Sequence, residues 1–180
     1  MRALLSIIVL MFALTGCASS KVHFEPVEQP YSSYRIKDIS DEHIDKQHRL
    51  EFVQYLQKRL NQMGYQTGDD LEFEINILNY DKGNRALRYL VGFGAGKATA
   101  QLSTSLIDTK TGKVVGKLDT KAKLSMGLFG GDAGGVLFAA ADDIIIRIQR
   151  AGILEKKRKT NNNFGIKMPS ATERSPFGKG

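Results

Sequence analysis

Three stretches of this chain alternate apolar and polar residues with a period of two, and no other feature restricts its fold as tightly. Leu71, Phe73, Ile75 and Ile77 point one way, while Glu72, Glu74 and Asn76 point the other. Ala98, Ala100, Leu102, Thr104 and Leu106 repeat the pattern. Leu118, Thr120, Ala122, Leu124 and Met126 then alternate against Lys117, Asp119, Lys121 and Lys123. Successive side chains of a strand leave opposite faces, so each stretch reads as a strand with one dry and one wet face. Asp108-Thr109-Lys110-Thr111-Gly112-Lys113 has turn chemistry, with Gly112 suited to left-handed backbone. The last two strands are therefore predicted to form an antiparallel hairpin whose wet face is basic.

Two other segments carry helical spacing. Ile44, Val53, Leu56, Leu60 and Met63, with Phe52 beside them, predict a helix from Ser40 to Met63. Ser40 is a good N-cap, Asp41 and Glu42 favour the positive first turn, and Gly64 is a natural stop. Val136, Ala140, Ile144 and Ile148 predict a second helix from Asp132 or Ala133 to Arg150, stopped by Gly152. Tyr31 to Ile39 alternates loosely and is read as a first strand. The order strand, helix, strands, helix gives an α+β fold: a two-layer sandwich in which a mostly antiparallel sheet is covered by two helices. A barrel would need more strands than the sequence offers.

The N-terminus is of another kind. Met1 and Arg2 precede an apolar run from Ala3 to Ala13, broken only by Ser6. A membrane-spanning helix needs roughly 20 apolar residues, so this run reads as a signal peptide. It ends in Leu14-Thr15-Gly16-Cys17, which resembles the lipobox of bacterial lipoproteins. That resemblance implies cleavage before Cys17, a diacylglyceryl group on its thiol, and acylation of the new amine. Cys17 is the only cysteine in the chain, so it has no internal disulfide partner. Ala18 follows it in place of Asp, which by the same resemblance implies sorting to the outer membrane. The expected division is therefore signal peptide over 1–16, lipidated tether over 17–30 with Pro26 and Pro30, periplasmic domain over 31–154, and a tail over 155–180.

The tail accounts for most of the charge. Beyond Leu154 lie seven basic and two acidic residues, which supply +5 of the formal net charge of +7. With apolar periodicity also lost there, the tail is expected to be disordered. The domain itself is nearly neutral, which argues against a nucleic-acid partner.

Tyr80 to Ala98 reads YDKGNRALRYLVGFGAGKA. This stretch resembles the signature of uncharacterised bacterial lipoproteins grouped as domain-of-unknown-function family 4410. The strand after it, the Asp108–Lys113 turn and Phe129-Gly130-Gly131 fit as well, and the resemblance extends over roughly Tyr31 to Leu154. It implies a family and an envelope location, and it brings no assigned reaction.

No set of residues spells out chemistry. The Gly92–Ala98 segment has three residues between Gly92 and the Gly96-Lys97 pair, where a phosphate loop needs four, and Ala98 lacks the hydroxyl that holds magnesium. His43 and His48 are five apart on a helix, whereas a metal pair prefers four. Asp142-Asp143 is more simply an exposed or ion-paired stretch of helix. Neither an enzyme nor a cofactor is expected beyond the covalent lipid on Cys17. If the last two strands pair, Gly92, Phe93, Gly94 and Gly96 meet Phe129, Gly130 and Gly131 at one end of the hairpin. Those seven residues form the candidate interaction surface. The leading expectation is a non-catalytic interaction or envelope-assembly module, with an envelope protein or a second copy as partner besides the membrane. The alternative is a small-ligand site bordered by the two glycine-rich segments. Cys17→Ser should abolish incorporation of radiolabelled palmitate, and label retained by that variant would contradict lipid attachment at this residue.

Overall fold

The computed structural model describes residues 17–83, 97–124 and 134–157. In chain order these form β1 (Cys17–Phe24), β2 (Ser33–Asp38), α1 (Lys46–Gln62), β3 (Gln66–Thr67), β4 (Leu71–Asp81), β5 (Ala98–Asp108), β6 (Val114–Leu124) and α2 (Gly135–Ala151). The strands make one six-stranded sheet in the order β1-β6-β5-β4-β2-β3. The β1–β6, β6–β5 and β5–β4 pairs are antiparallel, while β2 is parallel to both β4 and β3. The expected two-layer α+β sandwich is what the chain adopts. The parallel β2–β4 pair follows from α1, because parallel neighbours need a long crossover and a helix provides it.

Alternation decides which face is covered. Leu71, Phe73, Ile75 and Ile77 of β4 are at most 1% exposed, and Ala98, Ala100, Leu102 and Leu106 of β5 and Leu118 and Ala122 of β6 share their face. Phe52, Leu56 and Leu60 of α1 pack there, as do Val136, Leu137, Ala140, Ala141, Ile144, Ile145 and Ile148 of α2. Tyr34 joins them, its ring 5.5 Å from that of Phe73, and its hydroxyl donates to Asn61 Oδ1 at 2.7 Å. Both helices thus lie on one face, and the other face carries the polar half of every alternating strand.

The helix ends show where local chemistry wins. The first helix begins at Lys46, six residues later than the spacing suggests. Asp45 is its cap, with Oδ1 accepting from the Gln47 amide at 2.8 Å. Ser40 is used elsewhere: its hydroxyl is buried and accepts from the Ile77 amide at 2.8 Å, so it closes the end of β2 onto β4. The second helix starts at Gly135 and stops where expected, at Gly152 with φ 64° and its amide on the Ile148 carbonyl.

Two boundaries differ from expectation. The segment 17–30 does not begin as a tether, because its first eight residues are β1, paired along their whole length with β6. The 25–32 segment then crosses the end of the sheet, where Glu25 donates to the Val115 carbonyl and Tyr31 to the Ile153 carbonyl. The start of the basic tail is also tied down. The Glu155 amide reaches the Tyr31 carbonyl, the Lys157 amide reaches the Gly64 carbonyl, and the Lys156 ammonium lies 5.5 Å from the Tyr65 ring centre. Residues 158–180, like the segment 1–16 read as a signal peptide, lie outside the described residues.

The Asp108–Lys113 turn forms as predicted, and it is an electrostatic clasp. Asp108 Oδ1 accepts from the Lys110 and Thr111 amides at 2.8 and 3.0 Å, and Gly112 takes φ 69°. Backbone donation from Thr111 leads the causes that hold the Asp108 carboxyl below its ordinary 3.8. Tyr31 donates to its other oxygen at 3.0 Å and is itself pushed up to about 12, first by burial and then by that carboxylate. Nearby, Asp70 is lowered by the hydroxyls of Ser32 and Ser33. A carboxyl with a depressed folded value contributes stability above its unfolded value and loses it as pH falls through the folded one. The urea midpoint should therefore hold at neutral pH and fall below about pH 4, and Asp108→Asn and Asp70→Asn together should flatten that fall.

Gly116 of β6 is a point of close approach between β6 and the end of β1, where it pairs with Phe24. A Cβ there would lie 2.8 Å from Phe24 Cδ1 and 3.0 Å from Leu106 Cδ1. Gly116→Val should cost about 1–3 kcal/mol by overpacking. Urea denaturation measures this, and Phe24→Ala in the same chain should return part of the loss.

Candidate functional site

Cys17 opens β1 and is exposed. Its position fixes the direction of its side chain. Ala18 pairs with Ala122 on the covered face, so Cys17 and its partner Lys123 leave from the open face. Ser19 with Lys121, Lys21 with Asp119, and His23 with Lys117 follow on that same face. Beyond β6 it continues through Thr99, Gln101, Ser103 and Ser105 of β5. The sulfur therefore projects from the side of the sheet that neither helix covers.

A buried polar cluster holds β1 in place. Ser20 Oγ donates to Asp143 Oδ2 at 2.5 Å and lies 2.6 Å from Thr120 Oγ1. Arg147, one turn along α2, gives its Nη2 to Asp143 Oδ1 at 3.2 Å. Strand, neighbouring strand and helix thus meet at one carboxylate that is 8% exposed. The preceding residue, Asp142, accepts from Tyr55 and Arg59 of α1. The Asp142-Asp143 pair is thus two separate ion-paired positions, each joining α2 to another element, in line with the plain reading of that dipeptide.

Other sequence candidates are dispersed. His43 Nδ1 lies 2.9 Å from Asp41, while the His48 ring sits edge-on to Tyr80 with centroids 4.9 Å apart. Among the described residues no three metal-ligating side chains cluster, and no helix is long and apolar enough to cross a membrane. Gly92, Phe93, Gly94, Gly96, Phe129, Gly130 and Gly131 lie outside the described residues. Their described flanks do lie together, because Ala98 pairs with Leu124 and both glycine-rich segments leave from that end of the hairpin. Cys17 is at this end too, across from Lys123. Beside it the open face holds a shallow depression of about 520 Å³, bordered by Ser19, Lys21, Leu78, Gln101, Asp119 and Lys121. Sequence reasoning missed Lys21 and Ser20 because the segment was read as a tether. The signal was present, in the alternation of Cys17, Ser19, Lys21 and His23 against Ala18, Ser20, Val22 and Phe24.

The site and fold define a class: a small α+β domain whose lone cysteine sits on the edge strand of a half-covered sheet. The chain belongs to the family described as a domain of unknown function (DUF4410), whose model matches residues 38–127. No curated protein matches it. Among solved structures it is similar to a single-residue variant of the PelC dodecamer from Paraburkholderia phytofirmans. The TM-score is 0.53 at 10% identity, covering 74% of this chain and 98% of that one, and the likeness is one of fold. Fainter likenesses are to protein XCC0632 of Xanthomonas campestris (TM-score 0.48, 11% identity, 71% and 90% covered) and to a minor lipoprotein of Acinetobacter baumannii (TM-score 0.39, 14% identity, 70% and 98% covered).

Asp143→Ala should cost about 2 kcal/mol, because it leaves Ser20 and the Arg147 guanidinium without their shared acceptor in a mostly buried place. A urea midpoint equal to that of the parent would show that the cluster does not hold β1.

Proposed function

We propose that this chain is a non-catalytic lipoprotein of the bacterial envelope, anchored by lipid on Cys17 and facing the periplasm from the outer membrane, where it acts as an assembly module. The observation that carries this reading is the position of Cys17. The chain's only cysteine follows Leu14-Thr15-Gly16, is exposed, and is the first residue of a strand held in the sheet. A thiol placed there is open to acylation, and two or three acyl chains at about 0.8 kcal/mol per buried CH₂ make a stable anchor. Ala18 in place of Asp supports the outer membrane.

Assembly is supported by the edges of the sheet. β1 and β3 are its outermost strands, and each presents one side of its backbone without a strand partner among the described residues. An edge that natural proteins usually blunt is available here for pairing with another chain. The fold is shared with a subunit of the PelC dodecamer, which favours a second copy as partner.

Two measurements on intact envelopes test this function. Sucrose-gradient fractionation should carry the protein with outer-membrane markers, and amine crosslinking should give a ladder of homo-oligomers. Sedimentation with the inner membrane would overturn the sorting, and a monomer band alone at all crosslinker doses would overturn self-assembly.

A further inference from the structure

The open face of the sheet is not uniform in charge. On its β2–β4 side the cations are paired: Arg35 with Glu72 at 2.6 Å and Lys37 with Glu74 at 2.6 Å. On its β1–β6 side Lys21, Lys117, Lys121 and Lys123 are all exposed, and Asp119 is the only carboxylate between them. None of these four ammoniums has an ion-pair partner among the described residues, although carboxylates elsewhere on the domain find theirs. Four like charges on two adjacent strands repel one another, and an arrangement of this kind favours a partner that brings negative charge.

Cys17 belongs to this same face. Its side chain stands beside that of Lys123, about 5 Å away as cross-strand neighbours do. Lys121 and Lys21 follow within roughly 13 Å along the strand. With no spacer between the cysteine and the folded sheet, a lipid on Sγ leaves the domain at one end of its row of unpaired lysines, beside Lys123. From these observations we infer that the β1–β6 half of the open face lies against the membrane, with Lys21, Lys121 and Lys123 on the phosphates of anionic phospholipids in the leaflet that holds the anchor. The depression between Lys21 and Lys121, about 520 Å³ and with Leu78 at its rim, is a seat for one such headgroup. The anchor and the lysines then work as two signals on one surface, and the second sets the orientation that the first leaves free. This rests on the lipid-anchor reading above.

The lipidated protein is purified in detergent, and the mass of its Cys17 peptide is measured first. An unmodified cysteine would end the anchoring reading itself. The protein is then placed in vesicles of phosphatidylcholine, or of phosphatidylcholine with phosphatidylglycerol, and pulsed with an amine-reactive ester. Lys21, Lys121 and Lys123 should react several-fold more slowly in the phosphatidylglycerol vesicles than in detergent, while Lys46 and Lys58 on α1 keep their rates. Equal labelling of both sets, on a chain shown to be lipidated, overturns the orientation. Protection that is the same without phosphatidylglycerol and grows with protein concentration overturns it too, and assigns the face to a second copy. In a separate arm, Cys17→Ser protein is floated with anionic vesicles. Changing Lys21, Lys121 and Lys123 to Gln should weaken partitioning by about fivefold per lysine, on the order of a hundredfold together. Unchanged flotation of that variant would likewise overturn the inference.

Discussion

The structure depends on one-sided burial of a twisted sheet. Leu71, Phe73, Ile75 and Ile77, with their neighbours on β5 and β6, supply a continuous apolar face, and among the described residues two helices cover it. Both helices are used on that face. The opposite face is left to residues that do not need covering, such as Lys117, Asp119, Lys121, Gln101 and Ser103. One physical requirement, removal of apolar area from water, thus determines both the core and the surface that remains open to a partner.

The polar contacts add location to this burial. Asp143 receives Ser20 and Arg147, and through them β1 is joined to α2 as well as to β6. Ser40, buried against Ile77, and Tyr31, bonded to Asp108, do the same at other junctions. Each is a place where a buried or half-buried polar group has been given a partner on a distant segment, so that loss of the partner leaves it unsatisfied. In β1 such a contact matters more than elsewhere, because its apolar contribution is small: Ala18 and Phe24 pack against the core, while Val22 is exposed.

What could be read in the sequence follows from that difference. The alternation of β4, β5 and β6 is strong because large aliphatic side chains alternate with charged ones, and the Asp108–Lys113 turn has its special residues in view. The helical spacing of α1 was legible too, yet its start was misplaced. Ser40 and Asp45 are equally good caps in isolation, and a tertiary hydrogen bond to Ile77 claims the first of them. β1 was hidden because Ala, Ser and Cys do not mark burial clearly, and because lipobox residues lead the reader to expect a tether after them. Its one lysine, Lys21, could be joined to the basic face already legible on β6 only once the register with β6 was known. The glycine-rich segments were conspicuous in sequence, and the described residues show only that they depart from the same end of the hairpin as Cys17.

The account turns on residues 18–24 being a strand of the folded domain and not a leash, since that is what would hold the lipid proposed for Cys17 against one face of the sheet. Amide hydrogen exchange of the mature protein measures this directly. Amides of β1 that bond to β6 should exchange slowly, with protection approaching that of β5 and lost together with it in mild urea. Exchange of the whole segment at the rate of an unstructured peptide, while β5 and β6 remain protected, would contradict it.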